Sequence, residues 1–397
     1  MKTLFPTGNI PVLGARISFD RSGSRVFPVP DGAQSSGNEQ STKIGNEDTI
    51  CLSRRQAACL VVHQFLRTLR APEWKDEEDG FHDFGLWYSG AGQRQESAAK
   101  AYLAALMAYF DEVVCHLDNP DREWSISYTL RSVETADVTN LFSPSWWLAE
   151  LDVEVVEQYD TSPYSLGLPG GAAVVAANRF IGFGQSATQE EVHVGSTPEA
   201  CPAVLFTPPL SDKQVLIVRG AQGMLNITGA RRNIRVEPLP TPDGGMRAWS
   251  ERTMLFMDAL ELDMTDPAAG LPDALPENVD RELVKAYAAF SYLEPLQHVR
   301  TGLWGCGAFG GDPGIKMVVL WLAACLAGTR LVVVCDEAQR EFAEHLQSFV
   351  TAYKRITGSS IHLWALIRSL PPTVSRGETL RWVCSQVEAR AYNFLRT

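Results

Sequence analysis

From Leu151 onward the chain alternates short apolar runs with helical stretches, and this rhythm restricts the fold more than any other feature. Leu151 to Glu157, Ala172 to Ala177, Gln214 to Val218, Thr253 to Leu262 and Leu331 to Val334 have the pattern of strands in a buried sheet. Helical periodicity lies between and after them, near Asp280 to Tyr292, Gly314 to Ala327, Ala338 to Tyr353 and Arg376 to Leu395. Such alternation makes this half an α/β unit, a sheet flanked by helices.

The first 150 residues read differently. Ser53 stands as an N-cap before Arg54 to Arg70, where Ala58, Val61, Val62, Phe65, Leu66 and Leu69 recur at helical spacing. A second amphipathic helix runs from about Ser97 to Leu117. Two regions are therefore expected, a helical accessory region over 1–150 and an α/β domain over 151–397. Within the first, residues 21–48 are rich in Ser, Gly, Asn and charge and read as a mobile segment. At 45% hydrophobic, 397 residues can bury a core for both.

A formal charge of −12 argues against a general nucleic-acid binder, whose affinity comes from lysine and arginine on many phosphates. Arg231, Arg232 and Arg235 form a small basic cluster that reads as solvated surface. No run of eighteen apolar residues occurs, and Met1 to Gly14 lacks the apolar core of a signal peptide, so an intracellular protein is expected. The eight cysteines are scattered without a CxxC pair, and no two histidines stand at metal-ligand spacing. His193 reads as a packed or surface histidine, and Trp146 with Trp147 as a packing anchor.

Two segments carry candidate chemistry. The first runs from Asn178 through Gly182, Phe183 and Gly184 to Thr188, Gln189, Glu190 and Glu191, a strand end passing through a loop into consecutive carboxylates. Glycine permits a close approach that a β-carbon blocks. Thr188 with Glu191 three residues on also matches a capping box, which explains the acids without chemistry. Adjacent helical positions diverge, so one glutamate carries a proton while the other positions substrate. A donor near neutral pH needs a raised pKa, so burial and the neighbouring charge must outweigh the helix dipole.

The second segment, Thr301 to Pro313, holds five glycines and leads into an apolar helix with Asp312 as N-cap and Pro313 behind it. Its amides can cradle a diphosphate. Gly305, Gly307 and Gly310 also satisfy the dinucleotide fingerprint, with Asp336 closing the next strand where a ribose-binding acid belongs. Against an NAD-dependent oxidoreductase, only about sixty largely helical residues follow Asp336.

Taken in order, these segments resemble the poly(ADP-ribose) glycohydrolase family over roughly residues 50 to 355. The resemblance is carried by Ala177-Asn178-Arg179-Phe180 before Gly182, by Gln189-Glu190-Glu191, and by Thr301-Gly302 with Trp304-Gly305-Cys306-Gly307-Ala308-Phe309-Gly310-Gly311-Asp312. It implies a macrodomain-like mixed sheet flanked by helices with an N-terminal helical accessory region. It further implies hydrolysis of ribose–ribose O-glycosidic bonds in poly(ADP-ribose), releasing ADP-ribose without metal or redox cofactor. Glu191 would be general acid and then base, with Glu190 and Asn178 on the ribose hydroxyls. Gln189, Gly182 and Gly184 would complete that pocket. The loop of Gly305, Cys306, Gly307, Ala308, Phe309 and Gly310 would hold the diphosphate, with Phe309 against the ribose.

Expected partners are poly(ADP-ribose), ADP-ribose and poly(ADP-ribosyl)ated proteins, in nucleus or cytoplasm and in the DNA damage response. A monomer without membrane or sequence-specific nucleic-acid contact is expected. A non-catalytic ADP-ribose reader is the alternative. The chain departs from the family pattern at Phe183, which interrupts a triple glycine, in a shorter stretch before Gln189, and at Ala230, Leu303 and Cys335, with Asp160 a loose candidate for reading adenine.

Overall fold

The computed structural model describes residues 12–13, 45–75, 82–88, 96–116, 119–142, 148–229, 233–264, 270–356, 359–371 and 373–394. In chain order the elements are β1 (Asn46–Ser53), α1 (Arg54–Phe65), α2 (Gly85–Tyr88), α3 (Glu96–His116), β2 (Ser125–Ser132), α4 (Thr135–Thr139), β3 (Leu151–Val156), β4 (Ala172–Ala177), α5 (Gln189–Gly195), β5 (Gln214–Arg219), β6 (Leu225–Thr228), β7 (Arg235–Pro238), β8 (Thr253–Asp258), α6 (Pro276–Phe290), β9 (His298–Thr301), α7 (Pro313–Ala327), β10 (Arg330–Asp336), α8 (Arg340–Ile356), α9 (Ser360–Arg368) and α10 (Thr379–Phe394). Of the segment read as mobile, 21–44 lies outside the described residues, whereas Asn46–Asp48 open β1.

Contacts divide the chain into two compact units, one of Met1–Arg131, Gln158–Ser211 and Val215–Phe256, the other of Ser132–Glu157, Asp212–Gln214 and Met257–Thr397. In the first, strands run in the order β1-β2-β5-β8-β4, with β5 antiparallel to β8 and Leu216 opposite Phe256. Helix α1 starts at a full capping box, Ser53 Oγ accepting from Gln56 N at 3.2 Å while Gln56 Oε1 accepts from Ser53 N at 2.9 Å. Its inner face, Ala57, Leu60 and Val61, joins Tyr102 and Leu106 of α3, Val175 of β4 and Leu216 of β5 in one core.

In the second unit β9-β10-β3 are all parallel, His298 opposite Arg330 and Leu331 opposite Leu151. Parallel neighbours need a crossover, which α7 supplies between β9 and β10. An all-round apolar sequence demands an all-round buried helix, and α7 is buried on every face. Asp312 Oδ1 caps it from Ile315 N at 3.0 Å, Pro313 fills its first turn, and Gly328 at φ +70° ends it.

Candidate active site

The two glutamates at the start of α5 have opposite surroundings. Glu190 is only 8% exposed, and its carboxylate accepts from Asn178 N at 2.9 Å and Gly182 N at 3.3 Å, tying α5 to the end of β4. Burial pushes its pKa up to about 8, against the pull of those two amides and Lys75. Glu191 is half-buried, and its Oε2 accepts from Thr188 N at 3.0 Å while Thr188 Oγ1 accepts from Glu191 N at 3.3 Å. The capping box is therefore real, and it holds Glu191 in one rotamer. Gln189 anchors the same turn: Oε1 accepts from Ala176 N at 2.7 Å and Nε2 donates to Val174 O at 2.9 Å. Asn178 Oδ1 accepts from Phe180 N at 3.0 Å.

The loop ahead of α5 is held from behind by aromatics. Phe183 is buried, its ring 5.1 Å from Phe84 and 5.3 Å from Trp87, and Trp87 Nε1 donates to Gly184 O at 2.9 Å. A Cβ on Gly184 would overlap Glu191 Oε1 and stand 2.9 Å from its Cδ, so the glycine is there for the glutamate. A Cβ on Gly182 would come within 3.4 Å of Lys75 Nζ.

In the second unit the Thr301–Asp312 loop spends much of its backbone on itself. Trp304 N donates to Gly302 O at 2.9 Å, Cys306 N to Leu303 O at 3.0 Å, Gly310 N to Gly307 O at 3.2 Å and Gly311 N to Gly305 O at 2.9 Å. Among the described residues, the amides of Leu303, Gly305, Gly307, Ala308 and Phe309 have no protein acceptor, so the loop keeps free donors beside its internal turns. Two glycines make room for Lys316 of α7, whose Cε would lie 2.6 Å from a Cβ on Gly311 and 3.3 Å from one on Gly305. Gly305 also sits at φ +74°, where a side chain is strained. A Cβ on Gly307 would meet open space.

Beneath the loop lie buried charges. Lys316 Nζ stands 3.0 Å from Glu282 Oε2 and 3.3 Å from Asp273 Oδ1, with the Trp304 ring centroid at 5.2 Å. Asp273 Oδ2 accepts from Asp312 N at 2.9 Å, and burial raises its pKa. Asp312 in turn accepts from Gly377 N at 2.8 Å and Thr379 Oγ1 at 2.5 Å, which ties the loop's end to the start of α10.

Two models of one family match this chain: the poly(ADP-ribose) glycohydrolase helical domain over residues 38–129, and the macro-domain fold of the same enzymes over 166–342, together more than half of it. The chain belongs to the poly(ADP-ribose) glycohydrolase family. Caenorhabditis elegans poly(ADP-ribose) glycohydrolase 1 is 23% identical over 79% of this chain and 39% of its own length. Poly(ADP-ribose) glycohydrolase 2 of the same organism is 24% identical over 51% of this chain and 44% of its own. The chain thus spans less than half the length of these curated relatives. A Deinococcus radiodurans poly(ADP-ribose) glycohydrolase structure in complex with ADP-ribose is 16% identical, covering 54% of this chain and 90% of that one at a TM-score of 0.33.

The residue at which this chain breaks the glycohydrolase family's triple glycine, Phe183, is thus a core aromatic. Other expectations resolve into structure. Asp336, the ribose-binding acid of the dinucleotide reading, caps the next turn, its Oδ1 accepting from Gln339 N at 3.1 Å. The parallel β9-α7-β10 crossover meets that fingerprint locally, but the carboxylate it needs is spent. Asp160 accepts from Ser162 N at 3.1 Å and Ser162 Oγ at 2.9 Å as a turn residue. His193 is a packed histidine, its pKa pushed down to about 3 by burial and Arg252. Ala230, Arg231, Arg232, Trp146 and Trp147 lie outside the described residues. Sequence reasoning missed Lys75, Trp87 and Tyr102, all from the accessory region; of the three, only Tyr102 falls within an expected helix, about Ser97 to Leu117.

Proposed function

We propose that this chain hydrolyses the ribose–ribose O-glycosidic bonds of poly(ADP-ribose), its relatives being named poly(ADP-ribose) glycohydrolases, with Glu191 passing the proton. What carries the reading is the contrast between neighbouring carboxyls: Glu190 buried and bound to two amides, Glu191 half-buried with Gly184 cleared for it. Glu190 and Asn178 position the ribose, Gln189 and Gly182 shape that pocket, and the 305–311 loop, through the amides of Gly307, Ala308 and Phe309, holds the diphosphate. Such a bond breaks through an oxocarbenium-like state, so one acid must protonate the departing oxygen and then activate water. Poly(ADP-ribosyl)ated proteins are the partners this activity requires.

One observation favours a second assignment within the same activity. The carboxyl kept protonated near neutral pH is that of Glu190, so Glu190 could be the donor. Glu191→Gln, assayed on purified polymer by chromatography of released ADP-ribose, should cut turnover roughly a hundredfold or more with ADP-ribose affinity retained. Full turnover in that variant with loss in Glu190→Gln would move the role to Glu190. Wild-type chain that binds polymer without releasing ADP-ribose would make it a reader.

A further inference from the structure

Tyr102 of α3 is fully buried, and its hydroxyl has no hydrogen-bond partner among the described residues. An orphaned buried hydroxyl is costly and calls for an explanation. The ring occupies the space of a missing side chain: a Cβ on Gly195 would stand 2.6 Å from its Cγ and 2.7 Å from its Cε1. Gly195 lies four residues after Glu191 on the same face of α5, and side chains on a helix lean toward its N-terminus. The ring therefore lies against the same face of α5 that carries Glu191 one turn earlier. Trp87 flanks it at 5.4 Å while holding Gly184 O through its indole N–H. Burial raises the phenol's pKa, and the charge of Glu191 adds to that rise.

The geometry points to Tyr102 as a positioning residue for Glu191, its O–H donating to the Glu191 carboxylate when that carboxylate leaves the Thr188 amide. This rests on the reading of Glu191 as proton carrier. In the cleavage step the glycosidic C–O bond breaks with its electron pair staying on oxygen, that oxygen takes the proton of Glu191, and Glu191 becomes a carboxylate. Water then adds to the ribose carbon and returns a proton to Glu191. A phenolic donor stabilises the carboxylate at the moment its charge forms, and relaxes when the acid is restored. The capping amide of Thr188 holds the resting rotamer, and Tyr102 holds the working one.

Tyr102→Phe keeps the ring on Gly195 and against Trp87 and removes only the O–H. The other titratable groups there, Glu190 beside Glu191 and Lys75 facing Glu190, are untouched. A lost donor disfavours the charged form of Glu191, so the alkaline limb of the kcat profile should move to higher pH. The expected result is kcat down roughly tenfold, KM unchanged and the urea midpoint retained. In a Glu191→Gln background the same substitution should cost nothing further, whereas a merely structural role would cost the same in both. If Glu191→Gln abolishes turnover while Tyr102→Phe keeps the wild-type kcat and pH limb, the Tyr102 assignment is overturned and the Glu191 reading stands. If Glu191→Gln retains turnover, both fall.

Discussion

Gly184 and Glu191 are packed so closely that a methyl on the glycine would overlap the glutamate's Oε1. Gly184 has no left-handed φ, so alanine can adopt its backbone and the conflict is purely steric. The loop cannot yield, because Trp87 Nε1 holds Gly184 O at 2.9 Å in the core. The glutamate must move instead. Gly184→Ala should cut ADP-ribose release roughly a hundredfold while stability changes by no more than about 1 kcal/mol, the lost capping contact being offset by reduced chain entropy. Single-turnover assays with a urea melt check it; unchanged turnover would mean that the position of Glu191 is immaterial.

Glu190 makes stability fall as pH rises. The unfolded chain releases this proton near the ordinary glutamate value, the folded chain only near pH 8. The protonated carboxyl's contribution is full below the ordinary value and is lost as pH climbs through the folded one. Glu190→Gln cannot ionise, so its urea midpoint should be flatter than that of wild type between about pH 5 and about pH 8, the difference having a ceiling of about 5 kcal/mol. Parallel slopes would show that Glu190 is already ionised in the fold.

The elements that followed from sequence are those whose apolar pattern is unmixed. Ala172–Ala177 is β4 as expected, and Gly314 to Ala327 is α7 extended by one residue. Strands that bury polar groups escaped. β2 carries buried Thr129 and Arg131, and β9 is four residues long with a buried Arg300 satisfied bidentately by Glu154 at 2.6 and 3.1 Å. Helix α1 was expected to reach Arg70, since Leu66 and Leu69 keep its period, but it stops at Phe65 and Arg67 turns to φ +54°. Thr253 to Leu262 was expected as one strand; β8 ends at Asp258, whose carboxylate takes Lys285 at 2.5 Å and Arg281 at 2.6 Å. At the site, the order Gln189-Glu190-Glu191 was legible but its supports were not. Trp87 and Tyr102 are brought there by tertiary packing, which local spacing cannot reveal.

Phe183 shows why matching the family pattern need not improve this chain. Its ring packs on Phe84 and Trp87 and fills the core, where the triple glycine would leave a void. Phe183→Gly should cost on the order of 3–5 kcal/mol. Loosening of the Gly184 carbonyl should then lower turnover as well. Urea unfolding measures the first effect. A stability within about 1 kcal/mol of wild type would mean that the aromatic cluster closes over the gap.

Lys316 is the cation on which the glycine loop sits. Gly305 and Gly311 leave space for its stem, Trp304 lies over its ammonium, and Asp273 and Glu282 are each 3% exposed. Glu282 spends Oε1 on Leu260 N at 2.8 Å and Arg281 at 3.0 Å, so its Oε2 faces Lys316. Lys316→Met preserves the volume of the stem but leaves Asp273 without its cation and Glu282 with Arg281 alone, and breaking a buried pair in this way costs about 3–5 kcal/mol. Burial already raises the pKa of Asp273 against the pull of Lys316, and losing that cation raises it further, so the loss is smallest in acid, where this carboxyl can stay protonated, and grows as pH rises. Urea unfolding should therefore find the variant closer to wild type at about pH 5 than at about pH 8. An equal deficit at both would mean that Lys316 acts through packing alone. Because Asp273 also holds Asp312 N at 2.9 Å, the same substitution should weaken ADP-ribose binding even where the fold survives, which a titration at about pH 5 would detect.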